Sequence, residues 1–309
     1  MEILVNLEIE SNKMSNTNLR FLSQVFSTAV FKKIVLNDYT SYNNIVERHY
    51  SAHKSTLSNL ELLNEIYSKL SNNYRCEYIY KNLVFKKILK DYSLNTTITF
   101  NEFKIADSKA DLFLINGIAR IFEIKTELDD FSKLHKQILD YQKIADEVYI
   151  VSDAVQSKKL VELYSNTNIG VIKLTNTNKL VQLKKATKNN DNLEFDSIFK
   201  LLRKKEYLHL TKINFGFIPD VPNTKIFRVC YELLNEIEIK TFHLQVLNTL
   251  KKRKLQCVDL LISERTPFEL KFICNALDLN EDEYENLFNF LDNNHLCTTH
   301  ILEESNSNL

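Results

Sequence analysis

Glycine and proline are scarce in this sequence, with three residues of each among 309. So few glycines argue against a loop-rich all-β fold. The chain also lacks the G-x-x-x-x-G-K and G-x-G-x-x-G patterns, which excludes those two kinds of nucleotide-phosphate loop. The five cysteines are scattered, odd in number and never in C-x-x-C spacing, so they indicate free buried thiols rather than a disulfide framework or a zinc site. They are Cys76, Cys230, Cys257, Cys274 and Cys297.

An excess of either charge is also missing, because 40 basic residues balance 40 acidic ones. Nucleic-acid binders usually show a basic excess or a basic stripe. The balance therefore argues against a non-specific DNA binder of high affinity, since that affinity comes mainly from neutralising phosphates. Local basic runs exist, and each alone is typical of a solvated helix or loop end. They are Lys184-Lys185 with Lys188, Arg203-Lys204-Lys205 and Lys251-Lys252-Arg253-Lys254.

Long apolar runs are absent as well, and none approaches the roughly 20 residues that span a bilayer. The N-terminal sequence MEILVNLEIE is acidic and lacks the basic and apolar regions of a secretory signal. We therefore expect a cytoplasmic protein without a membrane partner. Its 44% hydrophobic and 26% charged residues are typical of a folded chain, and its length suggests two or three domains.

Three segments are predicted from hydrophobic periodicity. Residues 1–72 are mainly helical, residues 73–185 alternate between helices and strands, and residues 186–309 are helical again after a polar linker at 186–193. The middle segment is predicted to contain a helix over 73–94, strands over 96–105 and 148–151, and two further strands at 170–174 and 180–183. This order of elements predicts an α/β core flanked by helical regions.

The most informative stretch lies between residues 107 and 151. Asp111 leads into an apolar run, Asn116-Gly117 favours a tight turn, and a second apolar run carries Glu123 and Lys125. Side chains alternate across a strand, so Glu123 and Lys125 share one face. A carboxylate and an ammonium on an otherwise apolar strand are costly to bury unless they have partners or a task.

The length of the predicted hairpin loop decides whether the two acids can act together. With a strict two-residue loop at Asn116-Gly117, Asp111 would pair with Phe122 and would face away from Glu123. A shared site requires both carboxylates on one side of the sheet. We therefore predict an odd-length loop, for instance three residues with a bulge at Gly117, or a bulge within either strand.

Asp111 followed by Glu123-Ile124-Lys125 resembles the PD-(D/E)XK nuclease superfamily. Gln137 and Tyr141 form a Q-x-x-x-Y pattern in the predicted helix over 131–145, which resembles RecB-like members and an uncharacterised bacterial branch with helical flanks. The resemblance is strongest over about residues 73–152. One departure is Ala110, which precedes Asp111 where the superfamily motif has proline.

The resemblance implies a restriction-endonuclease-like core of helix, three-strand meander, helix and strand. It also implies that Asp111, Glu123 and the backbone carbonyl of Ile124 bind Mg²⁺ or Mn²⁺, and that Lys125 handles the attacking water or the transition-state charge. In RecB-like nucleases the Gln and Tyr of Q-x-x-x-Y shape the site and contact nucleic acid. The alternative for Tyr141 is a residue packed on the sheet.

Two further acids are candidates for completing the metal site. Glu77 matches the position in the first core helix from which the superfamily often supplies an acid, and its alternative is a solvated helix residue. Glu102, in the first predicted strand, is the rival candidate. Asp129, Asp130 and Ser132 are predicted to cap the helix that carries Gln137.

The E-x-K pattern also occurs at Glu238-Ile239-Lys240 and at Glu269-Leu270-Lys271. Both lie in helical patterns, where residues two apart point in different directions. E-x-K alone is therefore weak, and the occurrence at Glu123 gains its specificity from the strand, Asp111 and Q-x-x-x-Y.

The expected function is metal-dependent hydrolysis of nucleic acid, DNA more than RNA, in defence or mobile-element biology. A homodimer and a regulatory protein partner are both compatible with this expectation. The main alternative is a catalytically silent module of the same fold that binds nucleic acid or a protein.

Overall fold

A computed structural model describes residues 15–48, 57–189 and 191–294. Cys297 and the N-terminal sequence MEILVNLEIE lie outside these ranges. In chain order the elements are α1 (Asn16–Leu22), a 3-10 turn (Ser23–Phe26), α2 (Thr28–Ile34), α3 (Thr40–Glu47), α4 (Asn59–Asn73), α5 (Glu77–Asp91), β1 (Ile98–Ile105), β2 (Ser108–Asn116), β3 (Ile118–Lys125), α6 (Leu134–Gln142), β4 (Glu147–Ser152), α7 (Gln156–Leu163), β5 (Gly170–Leu174), β6 (Leu180–Lys184), α8 (Phe195–Phe199), α9 (Lys204–Phe215), α10 (Asn223–Leu234), α11 (Ile239–Leu250), α12 (Val258–Ile262), a 3-10 turn (Phe268–Leu270), α13 (Lys271–Leu277) and α14 (Glu281–Asp292).

The chain forms two compact units, one of Met1–Lys86 with Gln256–Leu309 and the other of Lys87–Leu255. These boundaries differ from the three segments expected from the sequence, since helices α8 to α11 group with the sheet. None of the helices within the described ranges has the length and apolar character needed to cross a bilayer.

The first unit is helical. Helix α4 begins at a capping box in which the Ser58 hydroxyl accepts from the Glu61 N–H and the Glu61 carboxylate accepts from the Ser58 N–H. Helix α14 begins with the same device at Asn280 and Glu283. Apolar side chains at helical spacing form the core of this unit. The largest fully buried ones include Phe31, Tyr42, Phe85, Tyr284 and Phe290.

The second unit is built on a six-stranded mixed sheet in the order β1-β2-β3-β4-β5-β6. Strands β1, β2 and β3 are antiparallel neighbours, β3 to β5 run parallel, and β6 is antiparallel to β5. The predicted α/β class is confirmed, as are the strands predicted at 170–174 and 180–183. The element order α5, β1 to β3, α6, β4 is the one expected from the sequence.

The hairpin between β2 and β3 turns at Gly117. Asn116 pairs with Ile118 and Leu112 pairs with Phe122, so the loop is odd in length, as predicted. Gly117 has φ of +72°, a conformation that glycine adopts without the steric cost of a Cβ. Continued by one residue, the same register places Asp111 opposite Glu123, on one face of the sheet.

A large apolar core covers that face of the sheet. It combines Phe113 and Ile121 of the sheet with Ile138 of α6 and with Phe199 and Phe242 of the C-terminal helices of this unit. The alternation of β3 places Glu123 and Lys125 at the end of the row that Ala119 and Ile121 begin. Burial of this face is therefore what brings two charged side chains into the interior.

The polar segment predicted as a linker at 186–193 is instead packed into the second unit. Ala186 and Asn189 are buried, and the Asn189 amide donates to the carbonyls of Gln142 and Ala145 at 2.6 and 3.1 Å. Polarity here reflects a hydrogen-bonded connection, because a buried loop must satisfy its polar groups.

The predicted caps of α6 are also wrong. The helix starts one turn later than expected, its cap position is Lys133, and no side chain caps it. Asp129 instead accepts from the N–H and the hydroxyl of Thr126, both at 2.7 Å. The acidic residues thus close the turn that follows β3.

Candidate functional site

Strands β2 and β3 stop pairing at Asp111. Their last paired residues are Leu112 and Phe122, and beyond them the Ile124 N–H donates to Asp111 Oδ2 at 2.8 Å. A side-chain carboxylate thus takes the place of a backbone acceptor at the point where the ladder ends. This contact fixes the Asp111 carboxylate beside the backbone of the E-x-K segment.

Glu123 is almost fully enclosed, with 2% of its surface exposed. Its Oε1 accepts from Gln137 Nε2 at 2.6 Å and lies 3.2 Å from Lys125 Nζ. Its Oε2 accepts from the Tyr141 hydroxyl at 2.7 Å. Gln137 and Tyr141 are one helical turn apart on α6, which explains how both reach the same carboxylate.

Burial controls the electrostatics of this group. It raises the pKa of the Glu123 carboxyl, and the donors Tyr141, Lys125 and Gln137 oppose that rise without cancelling it. Burial likewise raises the pKa of the Tyr141 hydroxyl, and the nearby Glu123 charge raises it further. Tyr141 therefore stays protonated and acts as a hydrogen-bond donor.

Lys125 lies at the end of β3 and is 9% exposed. Its side chain faces the Glu123 carboxylate, as the shared strand face predicts. Its carbonyl accepts from the Ser152 hydroxyl at 2.7 Å, which ties the end of β3 to the neighbouring strand β4. Because Ser152 is fully buried, this bond holds the Lys125 backbone in place.

Glu102 occupies the register position opposite Asp111 on the edge strand β1. Its φ of +50° interrupts the ladder between Asn101 and Phe103, and its carboxylate offers an oxygen within 4.8 Å of one from Asp111. It also forms an ion pair with Lys109 at 3.1 Å. Glu102 and Asp111, which are separated by eight residues in the sequence, are thus adjacent on the neighbouring strands β1 and β2.

Glu77 begins helix α5 in the other unit, where it forms an ion pair with Lys81, four residues later on the same helix. Its contribution to a metal site stays a prediction. The other two E-x-K segments differ from the strand site, as expected. Glu238 caps α11 and accepts from the Lys240 and Thr241 N–H groups, and Glu269 lies in a 3-10 turn.

The structure adds two contacts that the sequence did not predict. The Tyr141 hydroxyl lies 2.8 Å from the Lys109 carbonyl, so α6 is held to β2 as well as to β3. Ser152 fixes the end of β3, as described above. The only sequence signal for Ser152 was a lone hydroxyl after the apolar run of β4, which does not by itself predict a partner.

The donor set suits a hard cation. Mg²⁺ and Mn²⁺ prefer oxygen ligands, and the half-buried Asp111 carboxylate, the Glu123 carboxylate and the Ile124 carbonyl are all oxygen donors. Each carboxylate oxygen can accept more than one bond, so the protein donors on Glu123 are compatible with a ligand role. The residues present therefore fit such an ion chemically.

Comparison with known proteins gives one result. The family model described as bacteriophage P4 protein cII matches residues 70–272, a range that contains every residue of the site. No curated protein and no solved structure matches the chain. Since the matched range covers well over half of the 309 residues, the chain belongs to the bacteriophage P4 protein cII family.

Proposed function

We propose that this protein is a metal-dependent nuclease that hydrolyses phosphodiester bonds, with DNA as its preferred substrate. One observation carries the proposal. The odd-length hairpin pairs Leu112 with Phe122, a register that puts Asp111 and Glu123 on one face when it is continued by one residue, and Lys125 Nζ lies 3.2 Å from the Glu123 carboxylate. Two acids and an amine at the ends of neighbouring strands are the groups that the PD-(D/E)XK reaction uses.

In this mechanism Asp111, Glu123 and the Ile124 carbonyl would hold Mg²⁺ or Mn²⁺. The ion, when bound, would supply activation of the attacking water and stabilisation of charge on the phosphate. Lys125 positions the attacking water or offsets the charge that develops in the transition state. Gln137 and Tyr141 orient the Glu123 carboxylate, and Asp111 is oriented by the Ile124 N–H.

Glu102 is an accessory acid in the same sheet as Asp111. It lies opposite Asp111 and offers an oxygen within 4.8 Å of it. The family takes its description from a bacteriophage protein, which supports a role in phage or mobile-element biology. A homodimer and a regulatory protein partner remain compatible with this role.

A second candidate is a catalytically silent module of the same fold. It is favoured by the enclosure of Glu123, which is 2% exposed and accepts from three donors of the protein itself. Such a cluster also serves as a polar anchor between α6 and the sheet. The two candidates differ in whether Asp111 and Lys125 are needed for chemistry or only for folding.

The test is a cleavage assay with single- and double-stranded DNA and RNA, in EDTA, Mg²⁺ and Mn²⁺. The variants are Asp111→Asn and Lys125→Met, with Lys179→Met as a control at an exposed turn lysine. We expect metal-dependent cleavage of DNA by the wild type and the control, and at least a hundredfold loss in both site variants, in line with the usual contribution of such groups.

Stability must be measured alongside activity. Divalent metal should raise the melting temperature of the wild type, because an ion that binds only the folded state stabilises it, and Asp111→Asn should reduce this shift. Cleavage that persists in a folded Asp111→Asn protein contradicts the assignment. An inert wild type that shows no metal-dependent shift supports the silent module.

A further inference from the structure

Two basic runs that are almost fifty residues apart in the sequence meet on the second unit. Arg203, Lys204 and Lys205 lie at the start of α9, and Lys251, Lys252 and Lys254 follow the end of α11. Five of these six side chains are exposed and Lys251 is half-exposed. We define this set of six side chains as the basic patch.

A bidentate ion pair joins the two runs. Arg253 Nε donates to Glu206 Oε1 at 2.7 Å, and Arg253 Nη2 donates to Glu206 Oε2 at 2.5 Å and to the Leu201 carbonyl at 2.8 Å. Both side chains are largely buried, with 14% and 16% exposed. Burial alone would raise the pKa of Glu206, but the bonds from Arg253 and from the Arg203 N–H lower it, so the pair stays charged.

The patch has little acid to neutralise it. The sequence from Ile239 to Leu255 contains no Asp or Glu, and Glu206 is the only acid between Ser197 and Pro219. Glu206 is already used by Arg253. Among the described residues, none of the six patch side chains forms an ion pair within 4.0 Å, and the positive end of α9 adds to the field. Overall neutrality of the chain therefore hides a local concentration of positive charge.

The patch lies within reach of the candidate site. The Arg253 guanidinium stacks on the Phe100 ring of β1 at 6.0 Å, and Phe100 lies two residues from Glu102. The 6.0 Å contact, the reach of the Phe100 side chain, two strand residues and one step between strands together place Asp111 within roughly 23 Å of the Arg253 guanidinium, which lies between the two basic runs. That distance corresponds to roughly seven base pairs at about 3.4 Å each.

We propose that the basic patch is a nucleic-acid-binding surface that holds the phosphate backbone of the substrate beside the catalytic groups. This inference rests on the nuclease function proposed above. Its chemistry suits phosphates rather than bases, because five lysines and one arginine offer charge without a fixed hydrogen-bonding pattern. Glu206 and Arg253 act as positioning residues that hold the two runs together.

The test is binding of a fluorescein-labelled 20-base-pair duplex in EDTA, where cleavage does not interfere, measured by anisotropy at several salt concentrations. Two triple variants each remove three charges of the patch, a combined variant removes all six, and a control removes three exposed lysines elsewhere in the same unit. They are R203Q/K204Q/K205Q, K251Q/K252Q/K254Q, their combination, and K158Q/K159Q/K179Q.

Each phosphate contact contributes about 0.9 to the slope of log Kobs against log salt. We expect each patch triple variant to weaken binding at least about tenfold and to flatten the slope by about 2 to 3, with roughly additive effects in the combined variant. The control should bind like the wild type. Equal affinity of the combined variant and the wild type for the duplex overturns the proposal. Binding to phosphatidylserine vesicles is measured in parallel, and a combined variant that loses binding to the vesicles but not to DNA also overturns it.

The outcome is separable from the nuclease proposal. If DNA binding depends on the basic patch but the protein never cleaves, the binding-surface proposal stands and the nuclease proposal fails. If cleavage requires Asp111 and Lys125 but is unchanged in the combined patch variant, the nuclease proposal stands and the binding-surface proposal fails.

Discussion

Replacing Tyr141 by phenylalanine tests the central contact of the candidate site. The hydroxyl donates to Glu123 at 2.7 Å and lies 2.8 Å from the Lys109 carbonyl, in a side chain that is fully buried. Phenylalanine keeps the ring in the core, so the change removes polar contacts without creating a large cavity.

The expected loss follows from the charge of the acceptor. A hydrogen bond to an ionised group contributes about 1.5–3 kcal/mol, and one between neutral groups about 0.5–1.5 kcal/mol. At a pH above the folded-state pKa of Glu123, where the carboxyl is ionised, Tyr141→Phe should lower the free energy of unfolding by about 2 kcal/mol. For a unit of this size that corresponds to a fall of about 4–8 °C in melting temperature.

The loss should shrink in acid. Burial raises the folded-state pKa of Glu123 above its ordinary value of 4.5, and the carboxyl becomes protonated as the pH falls below that raised pKa. Below it, Tyr141 faces a neutral acid, and the loss should fall to about 1 kcal/mol. Removing the hydroxyl also raises the Glu123 pKa further, because the bond from Tyr141 opposes the effect of burial.

Urea denaturation followed by far-ultraviolet circular dichroism at both pH values measures the difference. Tyr164→Phe is the matched control, since burial alone raises the pKa of that hydroxyl and no carboxylate contributes. Its effect should be the same at both pH values. An equal loss for Tyr141→Phe at pH values above and below the folded-state pKa of Glu123 would refute the idea that the hydroxyl faces an ionised Glu123.

The remaining predictions concern Glu123, the hairpin and the Arg253 pair. Because the folded-state pKa of Glu123 is raised, its burial favours the folded state at low pH, and that advantage is lost as the pH rises through the folded-state pKa. Glu123→Gln should remove this pH dependence of the free energy of unfolding. Parallel curves of stability against pH for the variant and the wild type would contradict this prediction. Gly117→Ala should lower the free energy of unfolding by about 1–2 kcal/mol, since φ is +72° and only backbone strain opposes the methyl group. Gly117→Asn should lower it by less. Equal losses for the two variants in urea denaturation would argue against backbone strain. Arg253→Met should lower the free energy of unfolding by about 2–4 kcal/mol, because it leaves Glu206 without its partner. In a double-mutant cycle, adding Glu206→Met should recover part of this loss. Additive losses would show that the two groups are not coupled.

Much of the site could be predicted from the order of residues alone. Alternation along β3 places Glu123 and Lys125 together in any strand, and helical spacing does the same for Gln137 and Tyr141. The odd hairpin length followed from requiring both acids on one face. These features are predictable because they depend on the geometry of a single element or of one tight turn.

Polar segments that have a tertiary partner differ from the prediction. Polarity predicts a linker at 186–193, but the Asn189 amide donates to backbone carbonyls of the second unit. The position of Asp129 predicts a cap for α6, but Asp129 closes a turn on Thr126. Composition does not distinguish a polar group that faces water from one that bonds a buried carbonyl.

The sequence by itself determined the α/β class, the strand that carries E-x-K and the face that its charges share, because strand and helix periods are local properties of the backbone. Only the tertiary structure decided that Gln137 and Tyr141 both bind Glu123, that Glu102 lies opposite Asp111, and that two distant basic runs form one patch around Arg253 and Glu206. Those contacts depend on how helices pack on the sheet and on strand pairing across the chain. Such packing is set by burial of the whole core, and no single segment encodes it.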